Sequence, residues 1–155
     1  MTLEVAENPD VRFMRRAMML AARAQEQGEV PVGAVVVYQG KVVGQGWNQT
    51  ITLNDPTAHA EMIALRQAGT ALDNYRLVGC TLYVSLEPCP MCLGACVHSR
   101  LDAVVFGAAD PKTGAAGGNF NLLEATHHNH RLEVMGGVLA KESGGLLRSF
   151  FRSRR

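Results

Sequence analysis

Between residues 32 and 108 short β-rich runs alternate with segments of helical character, and this alternation narrows the fold more than any other feature of the chain. The runs "VGAVVVY" and "KVVGQGW" meet at Gln39-Gly40, which predicts a tight hairpin. "TLYVSL" alternates, with Leu82, Val84 and Leu86 on one face, whereas "DAVVFGA" is apolar without a break, the pattern of a strand buried on both faces. Asp55-Pro56 is a cap followed by proline and predicts a helix through "TAHAEMIALRQAG" that Gly69 closes. Pro88 opens another helix through "CPMCLGACVHS".

Outside this stretch, Asn8-Pro9 repeats the cap signature, and Phe13, Ala17, Leu20, Ala21 and Ala24 recur at helical spacing, which predicts a helix over residues 9–27. "DPKTGAAGGNF" reads as a Gly-rich loop and "RLEVM" as a short strand. "VLAKESGGLLRSFFRSRR" reads as a last helix, in which each glycine of Gly144-Gly145 costs about 1 kcal/mol against alanine, enough to predict a kink or a break. Strands alternating with helices require a mixed sheet covered on both faces, so the expected architecture is a three-layer α/β/α domain around a central mixed five-stranded sheet. No repeat or linker divides the chain, and residues 1–155 are expected to form one domain.

With 47% hydrophobic and 19% charged residues the composition is that of an ordinary globule, which excludes a disordered or fibrous chain. The first residues, "MTLEVAENPD", lack an apolar signal core, and no apolar run is long enough to span a bilayer. A cytoplasmic protein with reduced thiols is expected, so its four cysteines should be buried, metal-bound or catalytic rather than disulfide-paired. The net charge of +1 carries no argument for a nucleic-acid partner, but its distribution does. "LLRSFFRSRR" gathers Arg148, Arg152, Arg154 and Arg155 around Phe150 and Phe151 without one acidic residue. Consecutive phenylalanines cannot share a helix face, so one is expected to pack and the other to be free to stack on a base.

Cys89 and Cys92 by themselves fit a redox dithiol, half of a structural zinc clip or part of a catalytic zinc site. "DPTAHAEMIAL" weighs on the choice, because a redox dithiol has no use for His59 and Glu61. Two positions apart, these cannot share a mid-helix face, but side chains of a first turn lean over the helix end and can converge there. Cys89 and Cys92 share a face just after Pro88. One imidazole and two thiolates suit zinc, and a structural site would need a fourth protein ligand. Cys96 is the best fourth candidate but lies about a turn too far from a metal held over the helix start; Cys80 reads as a core residue. Three ligands, His59, Cys89 and Cys92, leave the fourth position to water, and Glu61 then suits proton transfer better than ligation.

The order "His59-Ala60-Glu61 … Pro88-Cys89-Pro90-Met91-Cys92" is the signature of zinc-dependent nucleobase deaminases. Together with "EVPVGAVVV", "GWN", "NYRL", "TLYVSLEPCPMC", "VVFGAADPKTGAAG" and "NHR", it makes nearly the whole chain resemble the bacterial tRNA-specific adenosine deaminases. The resemblance implies a cytidine deaminase-like fold, one Zn2+ per chain, a homodimer, and conversion of the wobble adenosine of an arginine tRNA to inosine in the anticodon stem-loop. It also implies that Asn48 recognises the base, that Val30, Pro31 and Ala60 line the pocket, and that Asp110, Lys112, Phe151, Arg152, Arg154 and Arg155 meet RNA. Asn48 is equally a turn residue and Val30 and Pro31 ordinary packing. Asp110 and Lys112 also fit plain loop polarity. His127, His128 and His130 suggest a second metal only weakly, since no ligand spacing supports them, and otherwise read as loop or interface residues. A deaminase of free guanine or cytosine built on the same zinc site is the alternative function; a non-catalytic redox or RNA-binding module leaves His59 and Glu61 unexplained.

Overall fold

The computed structural model of the chain describes residues 7–124 and 130–154. Its helices and strands succeed one another as α1 (Pro9–Glu26), β1 (Gly33–Tyr38), β2 (Lys41–Trp47), α2 (Ala60–Leu72), β3 (Cys80–Leu86), α3 (Pro90–His98), β4 (Ala103–Ala108), β5 (Glu133–Met135) and α4 (Ala140–Ser153). The strands form one sheet in the order β2-β1-β3-β4-β5. β1 is antiparallel to both β2 and β3, and β3, β4 and β5 run parallel, so the sheet is mixed as expected.

Two apolar cores lie on opposite faces of this sheet. Leu82, Val84, Val104 and Phe106 meet Ala64, Leu65 and Ala68 of α2 and Leu93, Cys96 and Val97 of α3. The alternate residues Val35, Val37, Tyr83 and Val105 meet Phe13, Met14, Ala17 and Leu20 of α1. β3 is therefore buried on both faces, where its alternation alone read as a half-buried strand. The hairpin at Gln39-Gly40 forms with both residues in the left-handed region, φ 51° and 76°, the conformation a two-residue hairpin turn demands.

Close approach sets how the helices sit. Gly44 and Gly46 of β2 lie directly under the backbone of α2, and Gly33 under that of α1, in places where a Cβ would collide with main-chain atoms. α2 thus rests on the strand itself with no side chain between them.

Three helix boundaries differ from the sequence expectation. Asp55 does not cap a helix; its carboxylate accepts from the amide and hydroxyl of Thr57 in a turn, and α2 begins only at Ala60 with His59 as its N-cap. α2 also runs past Gly69 to Leu72, ending where Asp73 adopts a left-handed conformation, so Gly69 is an interior residue. α3 starts at Pro90 rather than at Pro88, with Cys89 at the cap. The fourth correction concerns α4, which is continuous through Gly144-Gly145. Packing overrides the glycine penalty here: Ser143 and Gly144 are buried against the sheet, and the Ser143 hydroxyl accepts from the Ala108 amide at 3.0 Å.

Candidate metal centre and active-site cavity

His59 and Cys89 occupy the N-cap positions of α2 and α3, and neither side chain caps its own helix. Both are left free to point outward over the helix ends, where Cys92, one turn into α3, joins them. The His59 Nδ1 atom lies 3.5 Å from Cys89 Sγ and 3.4 Å from Cys92 Sγ. A tetrahedral zinc with ordinary zinc–sulfur and zinc–nitrogen bonds sets these separations at about 3.5 Å. The three ligand atoms lie within 4.8 Å of one another and form the one such group among the described residues. Donor chemistry and spacing both fit one zinc ion. Cys96 is buried in the core behind α3 and Cys80 in the core at the start of β3, and neither joins the group.

Without metal the two thiols share their ionisation. The hydrogen bond from Cys92 brings the Cys89 thiol down to about 4, against its burial and with help from His59. The same bond, with burial, drives the Cys92 thiol upward. His59 is raised, first by its bond with Cys89. Glu61, in the first turn of α2, is only 4% exposed, and burial pushes its carboxyl up to about 6.

His59, Cys89 and Glu61 line a cavity of about 620 Å3, with Cys92 buried behind them. Asn48 and Val30 line it, as expected, together with Val32, Leu86, Glu87 and the loop residues Ala109 to Thr113, which include Asp110 and Lys112. The rim on the other side is α4, through Leu147, Arg148 and Phe151. Pro31 and Ala60 are buried beside the cavity without lining it. Phe150 packs inward and Phe151 is exposed at the rim, the division expected for the pair. Arg152 flanks an adjoining depression with Arg148 and Phe151. Arg154 is turned away: its guanidinium donates to the Gly28 carbonyl at 3.0 Å and lies over the Phe150 ring. Arg155, His127 and His128 lie outside the described residues, and His130 is tied to the Leu101 carbonyl through its ring Nε2.

Two buried glutamates that carried no sequence signal tie down loops, Glu87 in the cavity wall and Glu29 next to the lining residue Val30. Glu87, 3% exposed, accepts from the amides of Asp110 at 2.9 Å, Ala116 at 2.9 Å and Gly118 at 2.8 Å. Gly114 and Gly118 lie so close that a Cβ on either would strike this carboxylate. Glu29, 1% exposed and next in the chain to Val30, accepts from the Thr52 amide and hydroxyl at 2.7 Å and the Ile51 amide at 3.2 Å. Burial alone would raise the Glu29 carboxyl; the bonds from Thr52, Ile51 and Thr50 outweigh it and hold it below the usual glutamate value. Their partners are mostly backbone N–H groups, which nearly every residue has, so nothing in the local sequence marked them. Arg148 was visible only as one of several tail arginines.

A mixed sheet between helical layers, with three zinc-type ligands at two helix starts and a buried glutamate beside them, defines a zinc deaminase. Residues 7–108 match the cytidine and deoxycytidylate deaminase zinc-binding region, and the chain belongs to that family. It is 52% identical over 147 residues to a tRNA-specific adenosine deaminase of Haemophilus influenzae, covering 94% of this chain and 85% of that protein. A solved structure from work on A-to-I editing by tRNA:A34 deaminases at the wobble position of transfer RNA is 40% identical. It superposes with a TM-score of 0.83 over 88% of this chain and 99% of the other. A guanine deaminase of Bacillus subtilis is 35% identical, with a TM-score of 0.62 and 92% of each chain covered.

Proposed function

We propose that this chain is a zinc-dependent tRNA adenosine deaminase that converts the wobble adenosine of an arginine tRNA anticodon loop to inosine. The observation that carries the reading is the cavity itself: His59, Cys89 and Glu61 line it together with Lys112, Arg148 and Phe151, two cations and an aromatic ring suited to phosphates and a flanking base. A loop adenosine is partly unstacked already, so drawing it into the cavity requires less energy than opening a duplex.

His59, Cys89 and Cys92 would hold the zinc, which would supply a water reactive at neutral pH. Glu61 takes a proton from the attacking water and delivers it to N1 of the adenine as the oxygen adds at C6; it then takes the remaining proton from the C6 hydroxyl and passes it to the amino group, which leaves as ammonia while the C6 carbonyl forms. A carboxyl raised to about 6 is suited to both directions of that transfer. Asn48, with an amide that both donates and accepts, reads the purine edge. Asp110 and Lys112 on one side and Phe151 and Arg152 on the other hold the flanking nucleotides. Arg154, bonded to Gly28, steadies the end of α4 instead.

Self-association belongs to the same reading. Tyr75 and Val78, 78% and 63% exposed, stand by a groove lined by Met62, Arg66 and His98, a mixed surface with exposed apolar side chains for a second copy in a homodimer. Sedimentation velocity tests this. No helix among the described residues is long and apolar enough to cross a membrane, and the reading places the enzyme in the cytoplasm with its tRNA.

The test of the reaction is ammonia release from an anticodon stem-loop set beside release from free adenosine, guanine and cytosine. Stem-loop turnover that dominates all three supports the reading; efficient turnover of guanine or cytosine replaces it with a free-base deaminase. In Glu61→Ala, turnover should fall by at least about 100-fold with zinc retained, and near-normal turnover would remove Glu61 from the chemistry.

A further inference from the structure

Gly144-Gly145 stands in the middle of an unbroken helix, where glycine is the poorest ordinary residue, and the sheet accounts for little of it. A Cβ on Gly144 would meet the Ala108 Cβ at 3.8 Å, an ordinary contact. Its tight neighbour is the Arg148 guanidinium, with Nη1 at 3.1 Å. A Cβ on Gly145 would meet Arg148 again, Nη2 at 3.8 Å, and nothing else within 4 Å. Residues three and four apart face one another on a helix, so the two glycines form a bare shelf on which the Arg148 side chain lies back.

That posture has a direction. Arg148 lines the cavity beside Leu147 and Phe151, with Asn48, His59 and Glu61 on the other walls, and it is exposed. It makes no ion pair or hydrogen bond among the described residues, where the only ion pair is Arg15 with Glu7. Arg154 is the contrast, with its guanidinium committed to Gly28 and Phe150. A solvent-accessible, uncompensated guanidinium held at the rim of a nucleobase cavity presents a planar fork of donors that matches a phosphodiester.

We propose that Arg148, seated on Gly144-Gly145, is a specificity-determining residue that takes a backbone phosphate next to the base in the cavity. It thereby selects an RNA strand over a free nucleoside. This rests on the RNA-deaminase reading above. The floor of the cavity recognises the base, and Arg148 recognises that the base belongs to a chain.

The test uses the zinc-loaded full chain and an anticodon stem-loop RNA. Arg148→Gln should weaken stem-loop binding about tenfold, the lower range for losing a charge-assisted hydrogen bond. It should also flatten the log–log salt dependence by about 0.7, one phosphate contact on a single strand. Zinc content should not change. Arg148→Lys should keep most of the salt slope while recovering only part of the affinity, because the charge survives and the fork does not. Gly144→Ala separates a seat from a merely structural glycine: helix propensity should raise the thermal midpoint, while the added methyl, crowding Nη1, should weaken RNA binding. Unchanged affinity and salt slope in Arg148→Gln, with both reduced in Lys112→Gln, would overturn the assignment of Arg148 and leave the RNA reading intact. A wild-type enzyme with no preference for the stem-loop over free adenosine overturns the RNA reading and this inference with it.

Discussion

Replacing Gly46 with alanine should damage the metal centre from across the strand. A Cβ at position 46 would stand 2.5 Å from the Ala60 carbonyl oxygen, 2.9 Å from the Ala64 amide nitrogen and 2.9 Å from Ile63 Cβ. The first of these falls about 0.9 Å short of the 3.4 Å at which ordinary contact begins. Ala60 lies between His59 and Glu61, so the part that must retreat carries one candidate zinc ligand and the carboxylate proposed as proton carrier. Metal sites tolerate ligand displacements of about 0.2 Å, and a misplacement of about 1 Å at a reacting centre costs roughly 100-fold in rate. Gly46→Ala should therefore weaken zinc binding and lower turnover by about 100-fold even at saturating zinc, with an overpacking cost of about 1–3 kcal/mol in stability. Chelator competition, stem-loop turnover and thermal unfolding measure the three effects. Gly94→Ala is the control, because a Cβ in that interior position of α3 meets nothing within 4 Å and should stabilise by about 1 kcal/mol. β2 is an edge strand paired only with β1 and is the other part able to yield. If Gly46→Ala keeps native zinc affinity and turnover, the strand has moved instead, and the idea that β2 sets the position of the ligand helix is wrong.

Cys89→Ala and His59→Ala should lose the metal while Cys96→Ala retains it; elemental analysis of the three proteins decides, and a zinc-free Cys96→Ala would point to a closed structural site. Glu29→Gln should destabilise at neutral pH by about 1.5–3 kcal/mol, the range for hydrogen bonds to a charged group. Because the folded-state value lies below the ordinary 4.5, that deficit should hold from neutral pH down to about 4.5 and shrink as pH falls further through the folded value. Denaturant melts at about pH 7 and about pH 3.5 check it, and a pH-independent deficit counts against the carboxylate. Glu87→Gln should raise the KM for the stem-loop and speed amide hydrogen exchange at Asp110, Ala116 and Gly118 while leaving zinc in place; unchanged exchange at these three amides would mean that the loop holds itself.

The parts of the molecule legible in its sequence are those whose signals are local. The Gln39-Gly40 turn and the unbroken apolar run of β4 depend on a few adjacent residues and appear where expected, and His59 and Cys89 do stand at helix starts, although both helices begin later than the preceding prolines signalled. Asp55 misled because the same side chain that caps a helix also closes a turn around Thr57, and the two uses differ only in the conformation of the residues after it. The continuity of α4 was hidden because a propensity penalty acts locally, whereas burial against β4 is decided by residues far along the chain. Glu29 and Glu87 were illegible for a related reason: their partners are largely main-chain amides of distant loops.

His59 and Cys89 stand 30 positions apart, and the chain between them includes all of β3 and α2. A metal gripping both closes that stretch into a ring, as a covalent bridge would, and strips the unfolded ensemble of the many conformations in which its ends wander apart. The lifetime of such a chain depends on nutrition as well as on sequence. Each tenfold rise in free zinc above the dissociation constant adds about 1.4 kcal/mol to the folded state. A cell starved of the metal would thus lose the protein itself to unfolding and proteolysis, beyond the activity of the copies that remain.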